Sequence, residues 1–485
     1  MSQKFQMWIG GKPVDAVSGK TYKVVNPATE EVFAEVPLGG KADVDLAVAA
    51  ARKAFPIWSH KSQDERTRIL NHLASLIPSY ANELADLDIQ DHGTPTRMAH
   101  GMQRSLGPQI EWSAQSARSL LGEQIETSRQ NTLFYMRREP IGVCALIVPW
   151  NAPLAMVVLK MSQALAVGNT CVIKPPSIDS LTSIKFGEII SKSQLPPGAV
   201  NIITGPGDLV GNALTAHPGV DMISFTGSSE AGKAIMASAS QTVKRLALEL
   251  GGKNPFIVLE DANLDFTVPR AIMFSLANSG MICASPGRYY IHKKIHDEFV
   301  ERLAAGFKKH VVGDPRDEKT MMGPLVSAEH RDRVEGYIQK GIAEGAKLVV
   351  GGKRPTEPPM NKGYYVMPTI LTGVKQDSTI GREEVFGPVA CFMEPFTSEA
   401  DVLKLANDSP FGLGASVWTR NVPKAIRFAH EICAGAVWIN DHMIIGHELP
   451  WGGFKESGFG KENGVAGLVE YTQLKQIGVD LTDIV

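Results

Sequence analysis

Cys283 is the side chain of this sequence best suited to covalent chemistry. It lies in the stretch "SLANSGMICASPGRYY", residues 275–290, and the small or turn-forming residues Ala284, Ser285 and Pro286 follow it. A thiolate that a substrate can approach is a strong nucleophile. Buried, unreactive cysteines are nevertheless common in protein cores. Composition alone therefore leaves two interpretations of Cys283 open, a nucleophile and a core residue.

Glu249 is a candidate general base. In "LELGGK" it ends an apolar run immediately before a double glycine, where a carboxyl group can project from the end of a strand into a cleft. Partial burial would raise its pKa toward neutral pH, which suits a base that activates water. The alternative is an ordinary, solvated glutamate at the end of a strand.

Two glycine-rich turns are candidates for phosphate binding. Residues 205–211, "GPGDLVG", have one residue too many before the last glycine for the GxGxxG pattern. Residues 225–232, "FTGSSEAG", lead from the end of a strand into the start of a helix, where free backbone N–H groups attract phosphate. A helix that is merely capped by Ser228 explains the second segment equally well.

These residues lie between apolar runs that alternate with helical segments. Such alternation is typical of a parallel, doubly wound sheet, which binds ligands outside the carboxyl ends of its strands. A second alternating series follows Gly251, so we predict two α/β domains joined near residues 248–255. In the first series the predicted strands are 142–148, 170–175, 199–205, 220–227 and 244–250, and the predicted helices are 152–166, 180–193 and 229–239. In the second series the predicted strands are 254–259, 288–292, 416–420 and 435–440, and the predicted helix is 297–310.

Composition narrows the classes of partner and the compartment. The 485-residue chain is long enough for two or three domains. Its 49 basic and 51 acidic side chains give a net charge of -2, which offers no footprint for nucleic acid or an anionic membrane, so we expect small-molecule partners. The five cysteines are widely spaced and the first residues lack a secretory pattern, so we expect a cytoplasmic protein.

Three other features favour ordinary structure. Residues 141–161 are almost entirely apolar, but Pro149 and Pro153 interrupt them, so a buried strand and a helix are predicted there instead of a membrane span. The 12 histidines form no HExxH pattern or tight cluster, so no metal site is expected. The remaining cysteines lie in apolar runs and are predicted to be core residues: Cys144, Cys171, Cys391 and Cys433.

Seven motifs between residues 147 and 462 resemble those of the NAD(P)-dependent aldehyde dehydrogenase superfamily in order and approximate spacing. They are "IVPWNAP", "NTCVIKPP", "FTGSSEAG", "LELGGKNP", "NSGMIC" with an arginine five residues on, "EEVFGP" and "PWGGFKESGFGKE". The flanking segments "NPATEEVFAEVP" and "GLVEYTQLKQI" are similar to that superfamily as well. The resemblance implies an α/β fold with a Rossmann-like cofactor domain, an α/β catalytic domain and a small β bridging, or oligomerisation, domain. The implied bounds are 1–118 and 140–250 for the cofactor domain, 251–450 for the catalytic domain, and 119–139 and 463–485 for the bridging elements.

The resemblance also implies a reaction, the oxidation of an aldehyde to a carboxylic acid with NAD or NADP. A thiolate adds to the carbonyl, the thiohemiacetal loses hydride, and water cleaves the resulting thioester. By resemblance, Cys283 is the nucleophile and Glu249 is the base that activates water. Asn151 and the backbone N–H of Cys283 would bind the oxyanion, and Lys160 would relay protons near Glu249.

The same resemblance implies the cofactor contacts. Trp150 would lie at the adenosine end, Lys174 at the adenine ribose and Ser228 at the pyrophosphate. Glu384 and Phe386 in "EEVFGP" would contact the nicotinamide ribose and ring. The other implied cofactor residues are Val148, Pro149, Ser177, Gly207, Phe225, Gly227, Gly232, Leu250 and Gly251.

Ser177 bears on the choice between NAD and NADP. Relatives that prefer NAD often have glutamate three residues after the ribose-contacting lysine, whereas this sequence has serine. A carboxylate about 4 Å from the 2′-phosphate would repel it by roughly 1 kcal/mol in water and about 4 kcal/mol at an effective dielectric of 20. We therefore expect weak discrimination against NADP. The alternative is that Ser177 caps a helix in residues 177–186.

The loop of residues 440–451 corresponds to the superfamily's aldehyde channel. It contains no lysine or arginine but carries Asp441, His442, His447, Glu448 and Trp451. Glu111 and Trp112 are candidates for the channel mouth. An acidic, aromatic channel favours neutral, aromatic or cationic aldehydes, with a cation–π contact available at Trp451. Ala152 and Leu159 stand where some aminoaldehyde enzymes have aromatic residues, which weakens the case for betaine aldehyde as the substrate. An anionic semialdehyde stays open as an alternative substrate. The channel residues could instead face solvent or pack in a subunit contact.

Assembly and two rival functions complete the sequence-based interpretation. Residues 121–140 alternate like a hairpin and residues 471–479 like a strand, and such unpaired edges favour a homodimer or homotetramer. A cysteine hydrolase or acyltransferase would need a histidine beside Cys283, and the matched motifs contain none. A cofactor-binding protein without catalysis is disfavoured because Cys283, Glu249 and Asn151 are all present.

Overall fold

The computed structural model describes residues 2–482. Met1 and residues 483–485, which belong to the predicted cofactor and bridging domains, lie outside the described residues. Within residues 2–482 the α-helices are α1 (Lys41–Ser59), α2 (Gln63–Leu76), α3 (Ala81–Asp91), α4 (Thr96–Ser116), α5 (Pro153–Ala166), α6 (Leu181–Ser191), α7 (Asn212–Ala216), α8 (Ser229–Ala239), α9 (Leu264–Leu276), α10 (His296–Lys309), α11 (Ala328–Ala343), α12 (Thr379–Arg382), α13 (Glu399–Asn407), α14 (Val422–Glu431) and α15 (Gly464–Glu470). The β-strands in the same range are β1 (Gln3–Lys4), β2 (Met7–Ile9), β3 (Lys12–Val14), β4 (Thr21–Val25), β5 (Val32–Pro37), β6 (Glu123–Ile125), β7 (Thr132–Pro140), β8 (Val143–Ile147), β9 (Thr170–Lys174), β10 (Val200–Ile202), β11 (Met222–Thr226), β12 (Arg245–Glu249), β13 (Asn254–Val258), β14 (Pro286–Ile291), β15 (Lys347–Val350), β16 (Thr369–Val374), β17 (Val389–Met393), β18 (Phe411–Gly412), β19 (Gly414–Trp418), β20 (Ala436–Ile439), β21 (Phe454–Lys455), β22 (Gly458–Phe459) and β23 (Thr472–Asp480).

An eight-stranded sheet contains the first predicted series. Its order is β22-β12-β11-β8-β9-β10-β2-β3, and the five strands from β12 to β10 run parallel. Strands β8 and β9 are buried along their whole length, as expected for strands that helices cover on both faces. The predicted strands and helices of this series are confirmed, with end positions that differ by at most three residues. The short antiparallel pair β2 and β3 at the edge was not predicted, and β2 joins the sheet against β10.

A seven-stranded sheet contains the second series, in the order β15-β16-β17-β14-β13-β19-β20. All neighbours pair in parallel except β15, which pairs antiparallel with β16 at the edge. The predicted strands and the helix α10 are confirmed within two residues. Sequence analysis did not identify β16, β17 or α11, although β17 is fully buried. Its run "VACFM" is short, and short apolar runs are ambiguous between strand and helix.

The two sheets meet at a short crossing segment. Glu249 ends β12 in the first sheet and Asn254 begins β13 in the second. Each sheet has its own hydrophobic clusters: the clusters of the first sheet include Leu146 and Val172, and those of the second include Ile257 and Phe392. This arrangement brings the carboxyl end of β12 next to the start of β13 in the seven-stranded sheet. The predicted base Glu249 lies at this junction.

A separate three-stranded sheet has the order β23-β7-β6. Strand β7 pairs with β6 as the predicted hairpin, and Thr132–Pro140 pairs antiparallel with Thr472–Asp480 over nine residues. The hairpin and the C-terminal strand are therefore confirmed as elements. Leu474 and Tyr135 remain exposed on this sheet. The domain bounds given above stay a prediction.

Two predictions about individual segments have clear outcomes. Residues 141–161 form β8 and the start of α5, as predicted, and none of the helices within residues 2–482 is long and apolar enough to cross a membrane. Cys144, Cys171 and Cys391 are buried, whereas the prediction of a buried Cys433 is wrong, because this residue is exposed. Cys433 follows the end of α14 in a turn, and its backbone N–H donates to Asn407 Oδ1 at 2.7 Å.

Candidate active site

A sharply turned segment carries Cys283 from helix α9 to strand β14. Asn278, Ser279 and Gly280 all have left-handed backbone conformations, with φ of 48°, 55° and 73°. A Cβ at Gly280 would clash with the backbone of Gly387, so only glycine fits there. The turn positions Cys283 just before β14, and the thiol lines a cavity between the two sheets.

This cavity has a volume of about 340 Å³ and brings together half of the predicted site residues. Its predicted lining residues are Pro149, Trp150, Asn151, Gly227, Ser228, Glu249, Leu250, Gly251, Cys283, Glu384 and Phe386. Sequence analysis missed the others, which are Ile178, Thr226, Ser327, Glu329, His330 and Arg333. Four of these come from the start of α11 and the residue before it, a helix that no motif indicated. Neither their types nor their spacing distinguish them from an ordinary polar helix.

Glu249 lies at the carboxyl end of β12 and is only 4% exposed. Within residues 2–482, neither of its carboxylate oxygens has a hydrogen-bond partner. Burial raises the pKa of Glu249 well above its ordinary value, repulsion by Glu462 raises it further, and Lys160 and Lys461 oppose the rise. The carboxyl group is therefore free to bond a water molecule and basic enough to take a proton from it.

Lys160 takes part in a buried polar network rather than bonding Glu249 directly. Its Nζ donates to Ser224 Oγ at 2.9 Å and forms an ion pair with Glu462. The side chains of Lys160 and Glu462 are 0% and 2% exposed. Glu462 was not predicted as a site residue, although it is the last residue of the motif "PWGGFKESGFGKE". Its backbone pairs with Trp451 in an isolated bridge, which fixes it across the sheet edge.

The groups predicted to bind an oxyanion lie around the thiol. Asn151 Nδ2 donates to the carbonyl oxygen of Met281 at 2.9 Å, which leaves one N–H of the amide available. Within residues 2–482 the Cys283 N–H donates to no protein acceptor. Burial raises the pKa of the Cys283 thiol to about 12, the carboxylates of Glu384 and Glu249 contribute, and a hydrogen bond from the backbone of Ala284 opposes the rise.

The segment that the sequence predicts to bind phosphate begins helix α8. Ser228 is its N-cap, and its Oγ accepts from the Ala231 N–H at 3.2 Å, so the capping interpretation of this serine is confirmed. Gly227 needs its lack of a side chain, because a Cβ would clash with Phe225, and Gly232 is similarly close to Leu250. The start of α8 thus presents backbone N–H groups beside the cavity, which is where a phosphate would bind.

The other end of the cavity combines a buried carboxylate and aromatic rings. Glu384 Oε1 accepts from the Gly252 N–H at 3.0 Å, and burial raises the pKa of Glu384 to about 7. The ring of Trp150 lies edge-on to Phe386, with centroids 5.2 Å apart, and to His330 at 4.9 Å. A Cβ at Gly251 would clash with the Glu384 carboxylate. A helix N-terminus, a carboxylate for ribose hydroxyls and apolar rings fit a dinucleotide.

Several predicted cofactor residues lie outside the cavity lining. Ser177 Oγ donates to the carbonyl oxygen of Gly205 at 3.0 Å, and Lys174 Nζ donates to that of Pro175 at 3.0 Å. Burial lowers the pKa of Lys174 to about 8. Val148 donates its N–H to the Lys174 carbonyl. Gly207 has open space where a Cβ would project.

The alternative interpretation, in which Ser177 caps the following helix, is wrong. Helix α6 begins at Leu181, and its N-cap residue is Ser180. The carboxylate of Asp91 accepts from the Leu181 N–H at 2.9 Å. The helix therefore begins three residues later than it would with Ser177 as its N-cap, and the side chain of the distant Asp91 satisfies its first N–H.

None of the four predicted substrate residues is among the residues that line the cavity. Glu111 is exposed on α4, and Trp112 packs against the core of the first sheet. Glu448 is exposed, and the half-buried Trp451 ring stacks on Trp438 with centroids 6.1 Å apart. Of the remaining loop residues, Asp441 accepts from the backbone N–H of the next residue, His447 accepts from the Gly464 N–H through its carbonyl, and His442 is buried.

Comparisons with known proteins agree with this geometry. The model of the aldehyde dehydrogenase family matches residues 14–477. Betaine aldehyde dehydrogenase from Bacillus subtilis (strain 168) is 41% identical over 473 residues, which cover 97% of this chain and 96% of that protein. The structure of betaine aldehyde dehydrogenase from Staphylococcus aureus in complex with NAD+ is 36% identical with a TM-score of 0.96, covering 98% of this chain and 95% of that one. A mutant of aldehyde dehydrogenase from Bacillus cereus is 38% identical with a TM-score of 0.96, covering 99% and 97%. The chain therefore belongs to the aldehyde dehydrogenase family, enzymes that oxidise aldehydes with NAD or NADP.

Proposed function

We propose that this enzyme oxidises its aldehyde through a covalent intermediate on Cys283, with Glu249 as the general base. The observation that carries the proposal is that the thiol lines one cavity together with a carboxyl group whose pKa is raised by burial and which has no hydrogen-bond partner within residues 2–482. The Cys283 sulfur adds to the carbonyl carbon and gives a thiohemiacetal, which loses hydride and becomes a thioester. Bound NAD(P)+ supplies the hydride acceptor. Water then adds to the thioester, Glu249 takes its proton, and the acid leaves as the C–S bond breaks.

Asn151 and the Cys283 N–H are the proposed oxyanion donors. Both have an N–H that no acceptor within residues 2–482 uses, since Asn151 donates only one of its two amide protons. Donors that are already fixed in place cost no reorganisation when negative charge develops on the aldehyde oxygen. The bond to Met281 fixes the Asn151 amide in this way.

Lys160 and Glu462 are the proposed route for the proton that Glu249 receives. The ion pair lies close enough to Glu249 for both charges to act on the pKa of its carboxyl group. One oxygen of Glu462, both of Glu249 and the amide of Gln163 are buried without partners within residues 2–482. Buried polar groups of this kind are usually bridged by ordered water, which can transmit protons.

A neutral, aromatic or cationic aldehyde is the proposed substrate. The loop 440–451 has no lysine or arginine, and its Trp451 stacks on Trp438. The relative at 41% identity is named a betaine aldehyde dehydrogenase, whose substrate carries a quaternary ammonium group. Aromatic faces attract such cations by about 0.5 to 2 kcal/mol. Ala152 and Leu159 stand where some aminoaldehyde enzymes have aromatic residues, which weakens the case for betaine aldehyde itself.

A cysteine hydrolase is the less suitable alternative. His330 is the one histidine within residues 2–482 that lines the cavity. Its Nε2 is hydrogen-bonded to the carbonyl oxygen of Phe386 at 2.7 Å, and burial lowers its pKa to about 4. Because the imidazole of His330 is hydrogen-bonded to a backbone carbonyl, it is not the base that would activate the thiol in such an enzyme.

The first experiment is an assay of the wild-type enzyme and of Cys283→Ala with NAD and an aldehyde. We expect cofactor reduction by the wild type and its loss in Cys283→Ala, while the variant still binds NAD. Thioester hydrolysis that needs no NAD(P) would favour the hydrolase. Reduction at the wild-type rate by Cys283→Ala would show that another group is the nucleophile.

We also infer that the three-stranded sheet bridges subunits. Leu474 and Tyr135 are exposed on it, and the outer edges of β6 and β23 pair with no other strand within residues 2–482. Exposed edges of this kind pair with other chains. Light scattering should give a dimeric or tetrameric mass, and a fully active monomer at micromolar concentration would contradict this.

A further inference from the structure

Two side chains hold the loop that carries Cys283: Asn254 at the start of β13, and His442 in the loop after β20. Asn254 Nδ2 donates to the carbonyl oxygens of Cys283 and Ser285, both at 2.8 Å. The carbonyl between them belongs to Ala284, and His442 Nε2 lies 2.7 Å from it. Three consecutive carbonyl groups beside the thiol are therefore bound by only two side chains.

The hydrogen bonds of His442 have a fixed direction. A carbonyl oxygen can only accept, so Nε2 carries the proton and Nδ1 must accept. The partner of Nδ1 is Ser416 Oγ at 2.9 Å, which therefore donates its hydroxyl proton to the ring. Ser416 Oγ in turn accepts from the indole N–H of Trp418 at 3.1 Å. The chain runs from Trp418 through Ser416 and His442 to Ala284, and each member has one compatible proton arrangement.

The surroundings keep His442 neutral and its ring immobile. The side chain is 1% exposed, and its ring lies against Trp438 at 4.9 Å, Phe274 at 5.5 Å and Phe256 at 5.8 Å. Burial lowers the pKa of His442 to about 4, which agrees with the neutral tautomer that the hydrogen bonds require. The imidazole is therefore a rigid donor and not a base.

The loop around His442 is itself anchored. Asn440 has a left-handed backbone, and its amide bonds both the N–H and the carbonyl of Thr419 at 2.9 Å. The Asp441 carboxylate accepts from the His442 N–H at 2.8 Å. These contacts tie the residues around the imidazole to the end of β19, so its position is set by the sheet and not by the loop's own flexibility.

We propose that His442 is a positioning residue for the nucleophile: by donating to the Ala284 carbonyl, it fixes the peptide between Ala284 and Ser285, the second peptide after Cys283. Ala284 matters because its backbone lies beside the thiol and acts to lower the pKa of Cys283, against the effect of burial. Asn254 holds the preceding peptide through the Cys283 carbonyl. With the two peptide units after Cys283 fixed, the sulfur keeps the position that attack on a carbonyl requires. This inference rests on the proposed role of Cys283.

The test compares two amides that each replace one nitrogen of the ring. In His442→Gln the side-chain amide reaches the position of Nε2 and can still donate to the Ala284 carbonyl. The shorter side chain of His442→Asn reaches only the position of Nδ1, near Ser416, and cannot bond Ala284. Both variants lose the same aromatic packing. We expect kcat and the rate of Cys283 alkylation by iodoacetamide to fall about tenfold in His442→Asn relative to His442→Gln. The KM for NAD should stay unchanged in both.

Two outcomes would overturn the proposal. One is an equal loss of kcat and alkylation rate in both variants, which would indicate packing alone. The other is wild-type kcat and alkylation rate in His442→Asn.

Should His442→Asn not fold, Ser416→Ala tests the same chain of hydrogen bonds. We expect kcat and the alkylation rate to fall severalfold in this variant, because the His442 ring loses the bond that fixes its tautomer. Wild-type values of both would overturn the proposal. The proposed function is refuted by a different result, dehydrogenase activity that survives in Cys283→Ala. The alkylation rate of Cys283 in the His442 variants does not depend on that result, because it reports on the position of the thiol whether or not the thiol is the nucleophile.

Discussion

Lys160 and Glu462 form an ion pair that is buried almost completely, and both act on the neighbouring carboxyl group of Glu249. Glu462 raises the pKa of Glu249 by repulsion, and Lys160 lowers it by attraction. The two partners of one ion pair therefore have opposite effects on the pKa of Glu249. Substitution of each partner in turn can test whether Glu249 is the base.

Substitutions of the two partners should move the pH dependence of kcat in opposite directions, Glu462→Gln toward lower pH and Lys160→Met toward higher pH. Glu462→Gln removes a negative charge, so the pKa of Glu249 falls and the acid limb moves to lower pH, by about one unit. Lys160→Met removes a positive charge, so the limb moves to higher pH, and the unpaired Glu462 should destabilise the fold by about 3–5 kcal/mol. Deacylation kinetics between pH 5 and 9 measure the shift.

The control for this experiment is Arg302→Met, which removes an exposed ion pair with Asp265 on the surface. Its acid limb should coincide with that of the wild type. Limbs of Glu462→Gln and Lys160→Met that move in the same direction would refute the assignment of Glu249 as the titrating base.

Glu384 should make the free energy of unfolding depend on pH. Burial raises its pKa from 4.5 to about 7 in the folded protein. The unfolded chain therefore loses the proton first, and the stability associated with this group is lost as pH rises from 4.5 through about 7. The glutamine in Glu384→Gln cannot ionise. The free energy of unfolding of this variant, compared with that of the wild type, should therefore rise by up to about 3 kcal/mol between pH 4.5 and 8. Denaturant titrations of both proteins measure this, and a gain that is independent of pH would contradict it.

Ser177→Glu should lower the ratio of kcat/KM for NADP to that for NAD by about tenfold or more, because a carboxylate repels the 2′-phosphate. The Ser177 hydroxyl donates to the Gly205 carbonyl, so the expected tolerance of NADP arises from the missing carboxylate. The matched control Ser177→Ala should keep the wild-type ratio. Exclusion of NADP by the wild type, or an unchanged ratio in Ser177→Glu, would show that another residue determines the preference.

Trp451→Leu should lower kcat/KM for aminobutyraldehyde and betaine aldehyde by about 2- to 30-fold, which corresponds to the loss of one cation–π contact. An uncharged aliphatic aldehyde of similar size should be affected less. A substrate panel with the wild type tests the class itself. Succinate semialdehyde with a higher kcat/KM than aminobutyraldehyde and benzaldehyde would refute the proposed substrate class.

Much of the fold could be predicted because the parallel strands are continuous apolar runs with helices between them. Cys283, Glu249 and Asn151 could be identified because each lies in a short motif next to a strand end or turn. Glu462 and His442 could not be assigned their contacts, since Glu462 meets Lys160 across 302 positions of the chain and His442 meets Ala284 across 158. Such contacts depend on how the two sheets pack, which no local pattern encodes.

The most direct test of the account is mass spectrometry of Glu249→Gln after mixing with NAD and an aldehyde. Without the base, hydrolysis of the thioester should be slow while its formation continues. We predict one burst of cofactor reduction and an added acyl mass on the peptide that contains Cys283. A variant that turns over at the wild-type rate with no acyl adduct, or an adduct on any other residue, would contradict the proposed mechanism.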